Sequence, residues 1–191
     1  MNEINEYHAR LNINVSDEQI KRVLEYHDND LNDLKINDIE SYNKILFKSD
    51  FVKGEFFYLN KSILIDDPLI RFFYDGIATK VHLYKMPANS SLAWHIHHAL
   101  PNTANINIPI QDPSDSLTLF NDASTYTEAN ESRSISKVDY QMNGAALLNT
   151  RKFHAVFNMA DNIRYILMIR IYEPFTYEDA LAYCKKNNLL F

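Results

Sequence analysis

The 191-residue chain holds seven histidines, and four of them, His95, His97, His98 and His154, fall in two stretches: WHIHHALPNTANINIPI from Trp94 to Ile110 and LLNTRKFHAVFNMADNIRYILMIRI from Leu147 to Ile171. Side chains alternate between the faces of an extended strand, so His95 and His97 share a face while His98 turns away. His154 lies in a second strand-like run, and Arg164 follows it ten residues later, beyond the turn-like segment NMADN. Imidazole nitrogen suits divalent iron, and a facial set of three protein ligands leaves positions open for a chelating co-substrate and dioxygen. The planar fork of an arginine suits the far carboxylate of a diacid, which it holds through two parallel charge-assisted hydrogen bonds. With Asn158 facing Arg164 across the turn, the arginine stands four residues along the ladder from the partner of His154, roughly 13 Å at about 3.3 Å per residue. A histidine ring, a metal, a five-carbon diacid and an arginine arm together span such a gap.

Each signal has a plainer reading. Two histidines on one strand can pack in a groove with backbone partners, and an arginine at a strand start can lay its stem over apolar neighbours and keep its head in water. The shared face, the answering His154 and the spaced arginine together favour a metal set of His95, His97 and His154. An arginine inside so apolar a run also carries a large desolvation cost unless paired. Arg170, on the same face six residues on, is the competing anchor, and the ten-residue spacing from His154 favours Arg164. Asn107 and Asn149 can bind a carboxylate or close a turn. His82 reads as structural or as support for a ligand, and His27 as a solvated helix residue.

The elements that must position these groups are mostly short strands. From Gly54 onward, runs of β-forming residues are separated by Pro, Asn, Asp and Gly: EFFYLN, IRFFYD, TKVHLYKM, SLAWHIH, ANINIPI, SLTLFND, SISKVDY, AALLNT, FHAVFN and RYILMIRIYE. Many short strands without helices between them indicate an antiparallel double-sheet jelly roll. The expected fold is mainly β, a double-stranded β-helix of the jelly-roll or cupin type over residues 54–173. Residues 1–53 form an N-terminal helical flank and 174–191 a C-terminal helix, all in one domain. Residues 1–15 read as an extended lead-in, Ser16 caps a first helix, and Asn37 to Phe47 suits a second. Ile163 to Tyr172, apolar on both faces, reads as a central strand, with Arg164, Ile166, Met168 and Arg170 on one side. The polar segment Asp122 to Lys137 reads as a mobile loop able to act as a lid. The last helix turns Ala180, Leu181 and Cys184 inward, and the final Leu-Leu-Phe docks or forms a homodimer contact.

Composition sets the outer bounds. With 46% hydrophobic and 13% aromatic residues the chain reads as a folded globule, and a net charge of -6 leaves no basic footprint for nucleic acid. Three glycines exclude a Gly-rich phosphate loop. No apolar run is long enough to span a membrane, and the N-terminus lacks the apolar core of a secretion signal. One cysteine, Cys184, excludes an internal disulfide framework and suits a cytoplasmic location.

The first-histidine strand leading into NINIPI, the phrase LLNT, the HAVFN around His154 and Arg164 on the next strand resemble the iron(II)- and 2-oxoglutarate-dependent oxygenases. Within them the likeness is to the aspartyl/asparaginyl hydroxylase-like and phage-type members, and it covers about half the chain, from Thr79 to Tyr172. The resemblance implies Fe(II) and 2-oxoglutarate as cofactors, with Arg164, Asn107 and Asn149 toward 2-oxoglutarate. It also implies molecular oxygen and a small-molecule or peptide substrate that is hydroxylated on an amino acid or other carbon. One departure stands out: the family pattern is His-x-Asp, whereas here the acid is replaced by His97 if His95 is the first ligand, or by Ala99 if His97 is. Asp112 could supply a carboxylate from a loop. A three-histidine cupin dioxygenase that ignores 2-oxoglutarate, a halogenase-like enzyme and a metal-free jelly-roll binding protein remain as alternatives.

Overall fold

The run RYILMIRIY is apolar on both sides, as a strand buried between two layers must be. In the computed structural model, which describes residues 4–25, 48–49, 52–53, 55–58, 68–77, 80–97, 101–131 and 134–191, it forms the nine-residue strand β12 (Arg164–Tyr172), paired on both edges. Its sheet runs in the order β1 (His8–Asn14), β10 (Gly144–Asn149), β7 (Asn102–Pro109), β12, β5 (Lys80–Met86) and β4 (Glu55–Tyr58). The second sheet runs β2 (Lys48–Ser49), β3 (Val52–Lys53), β6 (Ser90–His95), β11 (Phe153–Asn158), β8 (Ser116–Asn121) and β9 (Ile135–Lys137). From β5 to β12 the chain swings back and forth between two antiparallel sheets. That alternation is the double-stranded β-helix expected from the strand spacing.

Alternation along β12 splits the apolar interior in two. Leu167, Ile169 and Ile171 face outward from the sandwich and join Leu83, Ile106 and Ile108 under the helices, in a core closed by Phe73, Ile77, Ala180 and Cys184. Ile166 and Met168 face inward, with Tyr84 and Met86, toward the other sheet. The inner layer is where a cavity opens.

Several expectations change. IRFFYD was expected to be a strand but lies in helix α2 (Pro68–Gly76). Pro68 suits a first helical position, where its missing N–H would bond nothing anyway. A helical face then presents Phe73 and Ile77 to the outer core, with Arg71 and Asp75 paired one turn apart at 3.5 Å on the exposed side. The lead-in is more than extended chain: β1 completes an edge of the first sheet, and β2 and β3 place sheet structure ahead of the expected boundary at residue 54. Helix α1 (residues 17–25) starts at Ser16 as anticipated, through a capping box in which Ser16 Oγ accepts from the Gln19 N–H at 3.2 Å and Gln19 Oε1 accepts from the Ser16 N–H at 2.7 Å. The helix expected over Asn37 to Phe47 lies outside the described residues, as do His27, His98 and Ala99.

The segment Asp122 to Lys137 also gains order. It holds the short helix α3 (Tyr126–Glu131), capped where Glu128 Oε2 accepts from the Ser124 N–H at 2.8 Å, and then β9. Ala129 is buried and Tyr126 packs edge-on against Phe153, so these two residues anchor the helix where a loop was expected. Helix α4 (Tyr177–Lys186) buries Ala180 and Cys184 as expected, and Leu189 and Leu190 pack on the same core. No described helix is long and apolar enough to cross a membrane.

Candidate metal centre and cavity

The three histidines singled out by spacing converge. His154 and His95 are direct cross-strand partners on β11 and β6, and their rings lie 4.0 Å apart. The register slips between His154 and Val156, a bulge that re-aims the end of β6. His97 sits just past β6 and is not in the strand, yet its ring comes within 5.3 Å of His95 and 5.1 Å of His154. Ring nitrogens from all three lie within 4.8 Å of one another.

Backbone and side-chain partners fix which nitrogen each ring offers. His95 Nδ1 donates to the Ala93 carbonyl at 2.8 Å and His154 Nδ1 to the Lys152 carbonyl at 2.9 Å. Asn102 stands 3.0 Å from His97 Nδ1 and satisfies its surroundings best with its oxygen toward the ring and its nitrogen toward the Ala104 and Ile171 carbonyls. Every Nδ1 is thus a donor, which leaves every Nε2 lone pair free for a metal. Burial holds all three rings below the ordinary histidine range: His97 falls to about 3, helped by His95 and by the charges of Arg170 and Arg151, and His154 falls well below 6.5. Neutral imidazole is the form that ligates.

The segment carrying His97 is tied from two sides. Its N–H donates to the Thr150 carbonyl at 3.1 Å, and its carbonyl accepts from Arg151 Nη1 at 3.0 Å. Arg151 is itself paired with Glu173 at 2.6 Å. Sequence reasoning missed Asn102 and Arg151, although both lie within five residues of a histidine and match the polar partners that ligating histidines require.

The rings open on a cavity of about 430 Å³ between the sheets, a size typical of small-molecule pockets. Leu92, Ile96, Leu148, Val156, Ile166 and Met168 form most of its wall, while His82, Tyr84, Asn105, Asn107, Thr118, Thr150 and Arg170 supply the polar groups. Asn107 therefore stands where a bound ligand would meet it: its nitrogen donates to Tyr140 Oη at 3.3 Å, and its oxygen is buried without a partner among the described residues. Asn149 does not. Its amide donates to the Glu6 carbonyl and accepts from the Arg151 N–H, so of its two expected roles it takes the turn-closing one. Asp112 belongs to a separate recess with Lys137 and Tyr140, and is bonded to the Ser114 N–H, away from the histidines.

Arg164 occupies a different place from the one assumed. It does not face Asn158 across a hairpin, because β11 pairs with β6 and β8 while β12 pairs with β5 and β7, and the turn between them crosses from one sheet to the other. It is 4% exposed, donates through Nη1 to the Phe157 carbonyl at 3.4 Å, and lies 5.5 Å from the Tyr140 ring. Its Nε and Nη2 are buried with no hydrogen-bond partner among the described residues. Burial lowers its affinity for a proton, opposed by Tyr140 and Tyr84. Arg164 is not in the cavity lining; it adjoins the cavity through Tyr84, whose hydroxyl burial pushes up to about 12, and through the Tyr140–Asn107 bond. Arg170, six residues along the same face, does line it. At about 3.3 Å per residue the two arginines stand roughly 20 Å apart along the strand.

No family model and no curated protein matches the sequence. Solved structures do match in shape. AviO1 from Streptomyces viridochromogenes is 13% identical with a TM-score of 0.58, over 89% of this chain and 91% of that one. A non-heme monooxygenase, ThoJ, in its nickel complex is 14% identical with a TM-score of 0.59, over 86% and 73%. A prolyl-4-hydroxylase from Pseudomonas putida is 11% identical with a TM-score of 0.53, over 89% and 95%. At these identities the likeness is one of fold, and it places the chain among double-stranded β-helix structures.

Proposed function

We propose that this protein is an iron(II)- and 2-oxoglutarate-dependent oxygenase with an all-histidine metal centre, acting on a small molecule or an amino acid side chain. The observation that carries the reading is Arg164: a buried guanidinium with two nitrogens that find no partner among the described residues, next to a cavity that holds three convergent imidazoles. A buried cation with orphaned donors is costly, and the carboxylate of a diacid would satisfy it through a bidentate pair. The likeness in fold to a non-heme monooxygenase and a prolyl-4-hydroxylase agrees with this chemistry.

In this reading His95, His97 and His154 hold the metal through Nε2, and Asn102 and the Ala93 and Lys152 carbonyls fix the ring tautomers. A bound iron(II) would supply the activation of dioxygen. The chain supplies the rest. Arg164 and Asn107 orient the diacid, Tyr84 and Thr118 stand along its path, and the apolar wall excludes water from the reacting end. His97 takes the position of the usual acid, so among the described residues no carboxylate joins the three histidines to offset the metal charge, and the dianionic co-substrate does so instead.

Anaerobic iron(II) titration tests this directly. Wild type should bind one iron, 2-oxoglutarate should tighten it strongly, and His154→Ala should lose it. Arg164→Met should bind iron with no response to 2-oxoglutarate, and His97→Asp should hold iron more tightly in the absence of 2-oxoglutarate. The presence of His97 in place of an acid also favours a second reading, a three-histidine dioxygenase of the cupin kind; tight iron binding indifferent to 2-oxoglutarate in the wild type would select it.

A further inference from the structure

The three imidazoles are not held alike. His154 and His95 are cross-strand partners on β11 and β6, so their backbones are fixed within the sheet. His97 lies past the end of β6, and its backbone is held from a neighbouring turn instead. That turn, residues 150–152, joins β10 to β11 and touches two of the three histidines. The Thr150 carbonyl accepts from the His97 N–H at 3.1 Å, the Lys152 carbonyl accepts from His154 Nδ1 at 2.9 Å, and Arg151 Nη1 donates to the His97 carbonyl at 3.0 Å. The first two use carbonyls that any residue of the turn would offer, whereas the third exists only because residue 151 carries a guanidinium. The turn is itself tied down: Thr150 Oγ1 donates to the Asn102 carbonyl at 3.2 Å, and Asn149 Oδ1 accepts from the Arg151 N–H at 3.1 Å. Beyond the carbonyl, Arg151 Nη2 meets Glu173 Oε1 at 2.6 Å, in the residue that follows β12.

We propose that Arg151 is the positioning residue of the metal centre: its guanidinium docks the His97 carbonyl and so sets the direction of the one ligand that lies outside the strands. A rigid planar fork suits the task, because one nitrogen reaches the carbonyl while its neighbour in the same plane is pinned by the Glu173 carboxylate. Each peptide is a rigid plane, so bonding the His97 N–H to Thr150 and its carbonyl to Arg151 fixes both planes that flank its Cα. The ring then turns only about its own side-chain bonds, and there Asn102 stands 3.0 Å from Nδ1. Arg151 thus does for His97 what the sheet does for His95 and His154. The inference rests on the reading above only in taking the three histidines as ligands, and it needs no co-substrate.

Titration of cobalt(II) into the whole chain without co-substrate, followed by visible absorption, tests it. Arg151→Met should bind cobalt about 10–100-fold more weakly than wild type, the usual effect of removing a group that orients a ligating histidine. Its absorption bands should move to those of His97→Ala, a site with two protein ligands. Arg151→Lys, which can still reach the carbonyl, should recover part of the loss. The deciding measurement is made in the His97→Ala background, where Arg151→Met should change cobalt affinity by less than about twofold, because its effect runs through His97 alone. If Arg151→Met does not fold, Glu173→Gln, at an exposed carboxylate, gives the same comparison on a smaller scale, with about a two- to fivefold loss that also vanishes without His97. Wild-type affinity and spectrum in Arg151→Met would overturn the inference, and so would a second, equal loss in the His97→Ala background, which would assign Arg151 to the turn as a whole. Both of those results leave the ligand set standing. Cobalt binding that is absent from wild type, or unchanged in His97→Ala, would instead overturn the ligand set and this inference with it.

Discussion

The two faces of β12 are built from one strand and one backbone, yet they do opposite work. Outward, Leu167, Ile169 and Ile171 are at most 1% exposed and meet a continuous apolar core under the helices. Inward, the same strand presents Ile166, Met168 and Arg170 to a cavity, with Arg164 buried beside it. The outer face holds the fold together and the inner face carries a destabilising load, the buried Arg164 and several polar atoms that find no partner among the described residues. Such a load persists in a stable chain only if the other face more than compensates, and that division lets each face be perturbed separately.

The largest effect belongs to the outer face. Ile169→Ala leaves a hole in a core position at 0% exposure and should lower unfolding free energy by about 2–5 kcal/mol, measured by urea denaturation. The folded fraction should bind nickel with unchanged stoichiometry, because Ile169 faces away from the histidines; loss of the metal together with stability would show that the faces are not independent.

Next in size is a change behind the inner face. Asn102 is 0% exposed and fixes the His97 tautomer, so Asn102→Ala should weaken metal binding about 10–100-fold, the usual effect of removing a partner of a ligating histidine. Zinc competition against a chelator would read it out. An unchanged affinity would remove His97 from the ligand set.

Arg164→Met sharpens the contrast further, because it should move stability and function in opposite directions. Deleting a buried cation with two orphaned nitrogens should raise the melting temperature of the ligand-free protein, by about 1 kcal/mol in stability, while abolishing the stabilisation that 2-oxoglutarate gives wild type. A loss of stability instead would mark Arg164 as a structural residue.

The histidine triad, the jelly roll and the burial of Arg164 were legible because each follows from local rules: alternation along a strand, turn signals between strands, and the cost of a charge in an apolar run. What stayed hidden depends on how strands are partnered. The course from β11 to β12 reads locally as a hairpin, and only the sheet topology shows that the turn crosses the sandwich, with Asn158 held by the Met86, Pro87 and Asn162 carbonyls. IRFFYD has the β-rich composition of a strand, and packing of Phe73 and Ile77 against the outer core selects the helix. Asn149 and Asn107 look alike in sequence, and they differ only because β10 turns the first toward Glu6 and β7 turns the second toward the cavity.

The smallest effect concerns the cover over the outer face. Helix α4 begins at Thr176, whose Oγ1 accepts from the Asp179 N–H at 3.1 Å while the Asp179 carboxylate accepts from the Thr176 N–H at 2.9 Å, a reciprocal box. Thr176→Ala should destabilise the protein by about 0.5–1 kcal/mol and leave metal binding untouched. The effect should also depend on pH. Asp179 is held below its ordinary value of 3.8 by the Thr176 N–H and then by the Thr176 hydroxyl. A carboxyl with a lowered folded pKa stabilises the fold above its unfolded value and loses that contribution as pH falls through the lower one. Alanine keeps the backbone donor but not the hydroxyl, so the gap between wild type and variant should narrow below about pH 3.8. The part that survives at low pH measures the Asp179 N–H bond to Thr176 Oγ1, and a gap that stayed constant across this range would assign the whole effect to that one bond.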